Sequence, residues 1–282
     1  MKNILIVGKG SYIGTSFENY LEGMDYRVTV LDTLGNHWEN FDFSGYDSVF
    51  YVAGIAHKKK NEVPDELYYK VNRDLTLKIA QKAKASGALQ FIYLSSMSVY
   101  GSATGAITKT TPVNPSNVYG KSKYEAEVLL SKLCDRNFKV AILRPPMVYG
   151  KGCLGNYNTL AGFVKKMPFF PRYSNKRSMI YIGNLCEFVK YTVDMGLEGV
   201  YLPQNKDLVC TSEMAKKILE CHGKKAALTP IFNPFLKLFE KMGVEIVVKC
   251  FGSLWYDTPD SAELVGKYTF DETIRLTETT DE

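Results

Sequence analysis

The sequence predicts an α/β fold built on a doubly wound parallel sheet, and three observations carry that expectation. Short apolar runs alternate with amphipathic stretches along the first half of the chain, the pattern of strands joined by crossover helices. The first run leads at once into a glycine-rich turn, Gly8-Lys9-Gly10-Ser11-Tyr12-Ile13-Gly14. The 282 residues are 45% hydrophobic and 23% charged, which excludes disorder, collagen-like repeats and coiled coil as the dominant state and allows a large core.

Taken in order, strands are expected near 3–7, 26–31, 48–52, 90–95 and 139–143, where aliphatic and aromatic residues cluster. Helices are expected from about Leu67 to Ser86, stopped by Gly87, and from about Tyr119 to Leu133, where Ala126, Leu129, Leu130 and Leu133 share a face. Past Arg144 the pairs and singles Pro145-Pro146, Pro168, Pro171, Pro203 and Pro230 punctuate shorter elements. The expected organisation is a sheet domain over residues 1–150 that carries the chemistry. A smaller subdomain over 151–282, part of it returning to the sheet, would serve the substrate.

The charge balance, 35 basic against 30 acidic residues for a net +5, is spread along the chain. A nucleic-acid partner would call for a concentrated basic stripe, so none is expected; a small anionic ligand fits better. The triplet Lys58-Lys59-Lys60 reads as a solvated loop. No apolar run approaches the roughly 18 residues of a membrane span, so no membrane partner is expected. The apolar stretch Ile4–Val7 is too short for a secretory segment, and the expected compartment is the cytoplasm. Six scattered cysteines are expected as free thiols. His37, His57 and His222 lack ligand spacing, so no metal is expected; His57 reads as structural rather than as a proton relay.

The turn at Gly8–Gly14 has a specific chemistry. Glycines let the backbone approach a pyrophosphate, whose charge meets the N–H groups and dipole of a helix N-terminus. Asp32 stands 18 residues past Gly14, at the end of the second apolar run. A carboxylate there accepts hydrogen bonds from a ribose and repels a 2′-phosphate, which favours NAD and leaves NADP as the second candidate. A Rossmann-type dinucleotide site is the resulting expectation.

Two further segments carry chemistry: Phe91–Gly101, a strand ending in hydroxyls, and Tyr119-Gly120-Lys121-Ser122-Lys123. On a helix, Tyr119 and Lys123 lie one turn apart on one face. A free tyrosine, with a pKa of about 10, is a poor base at neutral pH, but an ammonium nearby stabilises the phenolate. The pair can exchange a proton with a substrate hydroxyl or carbonyl, and Ser96 would orient the same oxygen.

With these motifs in place, the sequence resembles the extended short-chain dehydrogenase/reductase family of nucleotide-sugar epimerases, dehydratases and ketoreductases. The glycine turn, Val52-Ala53-Gly54, Asn72, Ser96–Gly101, Tyr119-x-x-x-Lys123 and Leu143–Gly150 recur in the family's order over most of the chain. The resemblance implies Ser96, Tyr119 and Lys123 as the catalytic triad, with Lys123 also holding the nicotinamide ribose. It implies dinucleotide contacts from Gly8, Gly10, Ser11, Tyr12, Ile13, Gly14, Asp32, Ala53 and Pro145. The family's usual G-x-x-G-x-x-G would place glycine at 11, where this chain has Ser11 with Gly10 beside it. Asn156 and Arg177 stand where the family reads a nucleoside diphosphate, so a UDP-sugar substrate is implied, as is a homodimer through the two long helices.

The two residues after Ser96 bear on the reaction type. The family's 4,6-dehydratases carry an acidic pair there, and this chain has Met97 and Ser98, which disfavours dehydration. The segments 138–157 and 175–182, with Pro203-Gln204, are similar to reductases of UDP-4-keto-6-deoxy-N-acetylhexosamines in surface polysaccharide synthesis, and that reading is slightly favoured. The alternative, which Asp32 fits better, is a UDP-hexose or N-acetylhexosamine 4-epimerase that retains NAD. A non-catalytic NAD-binding sensor is a remote third reading, because Ser96, Tyr119 and Lys123 are all kept.

Overall fold

The computed structural model describes residues 1–56, 62–101, 104–108, 110–225, 227–257 and 267–279. His57 and Lys58-Lys59-Lys60 lie outside the described residues. The chain divides into two compact units, one of Met1–Ser102, Pro112–Pro145 and Leu185–Pro203, the other of Ala103–Thr111, Pro146–Asn184 and Gln204–Glu282.

The first unit is a doubly wound parallel sheet of the Rossmann type, as expected. Its described strands are β1 (Lys2–Val7), β2 (Tyr26–Leu31), β3 (Ser48–Tyr51), β4 (Gln90–Leu94), β6 (Lys139–Leu143) and β10 (Gly199–Tyr201), in the order β2-β1-β3-β4-β6-β10. All neighbours pair in parallel. β2 lies on one side of β1 and β3 on the other, so the winding reverses between β1 and β3. Open α/β sheets bind ligands in the crevice at the carboxyl ends of such a pair.

Helices cover both faces, which is why the strands read as unbroken apolar runs. Side chains alternate along a strand. Leu5, Val7, Val49, Tyr51, Phe91 and Tyr93 pack in one core with Ile79, Ala80 and Ala83 of α4 (Thr76–Ala85) and Ala126 and Leu130 of α5 (Val118–Ser131). On the opposite face Phe17 of α1 (Tyr12–Tyr20) meets Phe50 edge to face, ring centroids 5.2 Å apart. The short α2 (His37–Asn40) buries Trp38.

The helix expected over 67–86 is interrupted. α3 (Asp65–Tyr69) and α4 are joined by a π-helical turn, Lys70–Leu75, that holds Asn72 fully buried. The Asn72 carbonyl accepts hydrogen bonds from Thr76 Oγ1 at 2.9 Å and Tyr93 Oη at 3.3 Å. α5 begins as expected, with the Asn117 side chain accepting the Gly120 N–H at 2.8 Å.

The second unit holds three parallel strand pairs among its described residues: β5 (Gly105–Ile107) with β12 (Leu254–Tyr256), β7 (Met147–Tyr149) with β9 (Met179–Tyr181), and β8 (Phe170–Pro171) with β11 (Leu228–Thr229). They pack with α6 (Asn156–Val164), α8 (Thr211–Cys221), α9 (Asn233–Lys241), α10 (Glu245–Phe251) and a final helix over Phe270–Glu278. α7 (Ile182–Met195) starts here and runs into the first unit. Tyr149 stacks on Tyr157 at 5.4 Å and shares a 2.7 Å hydrogen bond with Thr273. Glu278 gathers the Tyr157 hydroxyl, Lys165 and His222, each within 2.8 Å. All six cysteines are free, and no helix among the described residues is long and apolar enough to cross a membrane.

Leu130 is fully buried in the core under the sheet. Leu130→Ala should lower the unfolding free energy by about 2–5 kcal/mol, the cost of a leucine-sized cavity. Urea unfolding measures it, and a loss below about 1 kcal/mol would mean that the helix is not seated on the sheet in this way.

Candidate active site

The glycine turn bridges the ends of β2 and β3. Gly8 N–H donates to the Leu31 carbonyl at 2.9 Å, and the N–H groups of Val52 and Ala53 donate to the Val7 carbonyl at 2.9 and 3.0 Å. A Cβ on Gly8 would stand 2.8 Å from the Ala53 nitrogen, so only glycine lets the two strand ends come this close. Gly10 takes φ +75°, and a Cβ there would meet no atom within 4 Å. The turn therefore presents open space at the N-terminus of α1, the kind of cradle a pyrophosphate fills.

Ser11 stands where the resemblance calls for glycine, and the structure gives the reason a serine fits. It is the N-cap of α1, in extended conformation at φ −72°, and its Oγ accepts the Gly14 N–H at 3.2 Å. Gly10 supplies the positive φ one residue earlier. Tyr12 and Ile13 open the helix, both half-buried. Asp32 follows β2 directly, half-buried, and its Oδ1 accepts the Leu34 N–H at 2.8 Å. Gly8, Gly10, Ser11, Gly14, Asp32 and Ala53 thus lie at the carboxyl ends of β1, β2 and β3 and the start of α1, where the winding reverses.

Ser96, Tyr119 and Lys123 converge at the carboxyl end of β4. Ser96 is extended, caps a 3₁₀ turn over Met97–Tyr100, and its Oγ accepts the Ser98 N–H at 3.1 Å. Burial pushes the Tyr119 phenol above its usual pKa, and a hydrogen bond with Ser96 pulls it partly back. Lys123 is buried, donates to the Leu94 carbonyl at 3.0 Å and lies 4.8 Å from the Tyr93 ring centroid. Burial lowers its pKa to about 8, against the attraction of Glu127. A Cβ on Gly54 would be 3.2 Å from Lys123 Nζ and 2.9 Å from Asn72 Oδ1, which brings the lysine head to the β3 turn beside Ala53.

Asn72 ties the pieces together. Its Oδ1 accepts the Ile55 N–H at 2.8 Å, and its Nδ2 donates to the Ile55 carbonyl and to Ser122 Oγ, both at 3.1 Å. Ser122 in turn donates to the Tyr119 carbonyl at 2.9 Å. The π-turn thus clamps the β3 loop to the helix that carries the tyrosine and lysine; such turns recur at functional sites.

Below the lysine lies a pair that sequence reasoning left unassigned. Glu127, one turn beyond Lys123, is buried against Arg144, with Arg144 Nη2 to Glu127 Oε2 at 2.6 Å and Nη1 to the Tyr100 hydroxyl at 2.8 Å. Ser95 donates to the same carboxylate. Burial works against the Arg144 charge, yet Glu127 outweighs it and holds the guanidinium above its usual range. Next along the chain, Pro145 accepts the Met97 N–H at 2.9 Å. The i, i+4, i+8 spacing of Tyr119, Lys123 and Glu127 was the available signal.

The expected substrate residues lie on separate elements of the second unit. Asn156 is exposed at the first position of α6. Arg177 is half-buried, and its Nη1 donates to the Gly252 carbonyl at 2.8 Å and the Val248 carbonyl at 3.4 Å. It therefore caps the C-terminus of α10 through Nη1, and burial lowers its pKa. Among the described residues no three His, Cys, Asp or Glu side chains gather where a metal could be held.

The chain is similar to several known proteins. The sequence profile of the NAD dependent epimerase/dehydratase family matches residues 4–196. A Vibrio cholerae protein named UDP-glucose 4-epimerase is 31% identical, over 94% of this chain and 90% of its own. An Escherichia coli O157:H7 protein named N-acetyl-alpha-D-glucosaminyl-diphospho-ditrans,octacis-undecaprenol 4-epimerase is 29% identical, over 67% of this chain and 62% of its own. The solved UDP-glucuronic acid 4-epimerase of Bacillus cereus, in complex with NAD, superposes with a TM-score of 0.74 over 98% of this chain and 97% of its own at 16% identity, which shows the shared fold.

Two outcomes are expected from this geometry. Between about pH 8 and 10.5 the unfolded chain keeps the Lys123 proton and the folded chain releases it, so stability should rise with pH across that window. Lys123→Met should remove that rise; urea midpoints of both proteins at about pH 8 and pH 10 measure it, and parallel slopes would contradict a depressed lysine. Asp32→Asn should weaken NAD binding and relax discrimination against NADP, since acceptor and repulsive charge vanish together. Fluorescence titration of both cofactors checks it, and a wild type that prefers NADP would overturn the role given to Asp32.

Proposed function

The chain belongs to the NAD-dependent epimerase/dehydratase family, and from that premise we propose that it inverts C4 of a UDP-sugar with a retained NAD. The observation that carries this reading is Asp32 at the end of the edge strand β2, beside the glycine turn, where a carboxylate suits NAD and opposes NADP. The turn at Gly8–Gly14, Ala53 and Pro145 would hold the cofactor, and Lys123 its nicotinamide ribose. NAD held there would supply reversible hydride exchange with the sugar C4.

The chain's own residues handle the proton and the sugar. Ser96 orients the C4 oxygen. Tyr119 Oη takes the proton of that hydroxyl as C4 is oxidised and gives it back as C4 is reduced. Lys123, with its proton affinity already lowered by burial, supplies the positive charge that favours the phenolate. Asn156 and Arg177 would bind the nucleoside diphosphate, Arg177 through the nitrogens that its helix-capping role leaves over. Pairing of two copies through the helices at 65–85 and 118–131 belongs to the same reading.

Epimerisation takes precedence over the reductase favoured by sequence alone because the 31% identical relative named as an epimerase aligns along nearly the whole of both chains. The reductase reading keeps its support from the segments 138–157 and 175–182. The two part on the cofactor. An epimerase should carry close to one NAD per chain through purification and convert UDP-glucose or UDP-N-acetylglucosamine to its C4 epimer with no net consumption of cofactor. An empty site, with stoichiometric oxidation of added NADPH by a 4-keto sugar, would establish the reductase instead. In either reaction Tyr119→Phe should cut turnover by about 10²–10⁴-fold while leaving cofactor affinity nearly unchanged; activity within a few-fold of wild type would remove Tyr119 from the mechanism.

A further inference from the structure

Among the described residues, exposed large apolar side chains gather along one helix. Ile231, Phe235, Leu238, Phe239 and Met242 recur at i, i+4, i+7, i+8 and i+11 on and beside α9, one face of a helix. An apolar stripe ordinarily faces a core, yet no residue of α9 is buried, and Ile231, Phe235, Leu238 and Met242 are 71, 60, 53 and 67% exposed. Phe232 stacks on Phe169 at 6.0 Å, and Phe169 is itself exposed, so the stripe extends onto the neighbouring loop.

The rim of this stripe is basic. Lys237 and Lys241 are exposed on α9, Lys166 is exposed near Phe169, and Lys224, exposed beside Lys225, reaches the Lys165 carbonyl at 2.9 Å. The single carboxylate between residues 224 and 244, Glu240, already accepts the Tyr173 hydroxyl. A second copy of the same surface would set lysines against lysines across a two-fold axis. A surface rich in phosphate groups over an apolar interior complements both parts of the patch at once: apolar side chains below the head groups, ammonium groups among them.

We propose that α9 and the loop beside it dock the protein on an anionic phospholipid bilayer, the helix lying in the plane of the interface. The absence of a membrane partner was expected from span length, a requirement that a helix lying flat does not have. The docking is independent of which sugar is turned over.

Cosedimentation of the full chain with phosphatidylcholine vesicles, with and without phosphatidylglycerol, tests the proposal. Wild type should sediment only with the anionic vesicles and be released by salt. Phe235→Asp/Leu238→Asp should weaken that binding at least about tenfold while turnover of a soluble UDP-sugar is unchanged, a readout that separates this proposal from the proposed reaction. Lys237→Glu/Lys241→Glu should have the same effect without touching the apolar stripe, and it carries the test if circular dichroism shows the first variant misfolded. Wild type left in the supernatant, or variants that sediment as wild type does, would overturn the docking. So would loss of a dimer by light scattering in the aspartate variant with vesicle binding intact, which would make this face a contact between copies.

Discussion

A carboxylate and a guanidinium removed from water each lose several kcal/mol of solvation, and they persist together only when geometry and extra hydrogen bonds offset that loss. Glu127 and Arg144 meet this demand with contacts drawn from four segments: the helix of Tyr119 and Lys123, the end of β4 at Ser95, the 3₁₀ turn at Tyr100 and the end of β6. Whatever moves one of these segments breaks the pair. The position of Ser96 relative to the helix is therefore fixed by a contact that touches neither Ser96 nor Tyr119. The same carboxylate opposes the loss of the proton from Lys123, so support and electrostatics come from one group.

Much of the sheet unit was legible in the sequence because its strands are buried on both faces. Unbroken runs such as Phe91-Ile92-Tyr93-Leu94 leave little choice of assignment. The glycine turn was legible for a related reason: a close backbone approach admits one residue type, and Gly8 shows it against Ala53. What escaped depends on contacts between distant segments. A glutamate on a helix ordinarily faces solvent, and only the arrival of Arg144 makes burial of Glu127 tolerable. Arg177 presents the same difficulty, because its capping of α10 depends on carbonyls more than seventy residues away.

The second unit was read less well for a physical reason. Its strands are two or three residues long, too short for an alternating pattern to be told from chance. Its order comes instead from polar and aromatic side chains, among them Tyr149, Thr273 and Asn205, whose partners lie far apart in the chain.

The π-helical turn around Asn72 sets a limit on how this chain can vary. It holds one residue more than an α-helical turn would, and the helix beyond it delivers Ile79, Ala80 and Ala83 to the core. The turn absorbs that extra residue by winding less per residue than an α-helix, so deleting it would restore a regular helix and leave those three side chains in phase with the sheet. What would go is the placement of Asn72, whose side chain reaches Ile55 and Ser122 from the turn. The irregularity is thus held by what Asn72 touches and not by the core: a chain that lost the extra residue would keep its sheet and lose the link between the β3 loop and the helix of Tyr119 and Lys123.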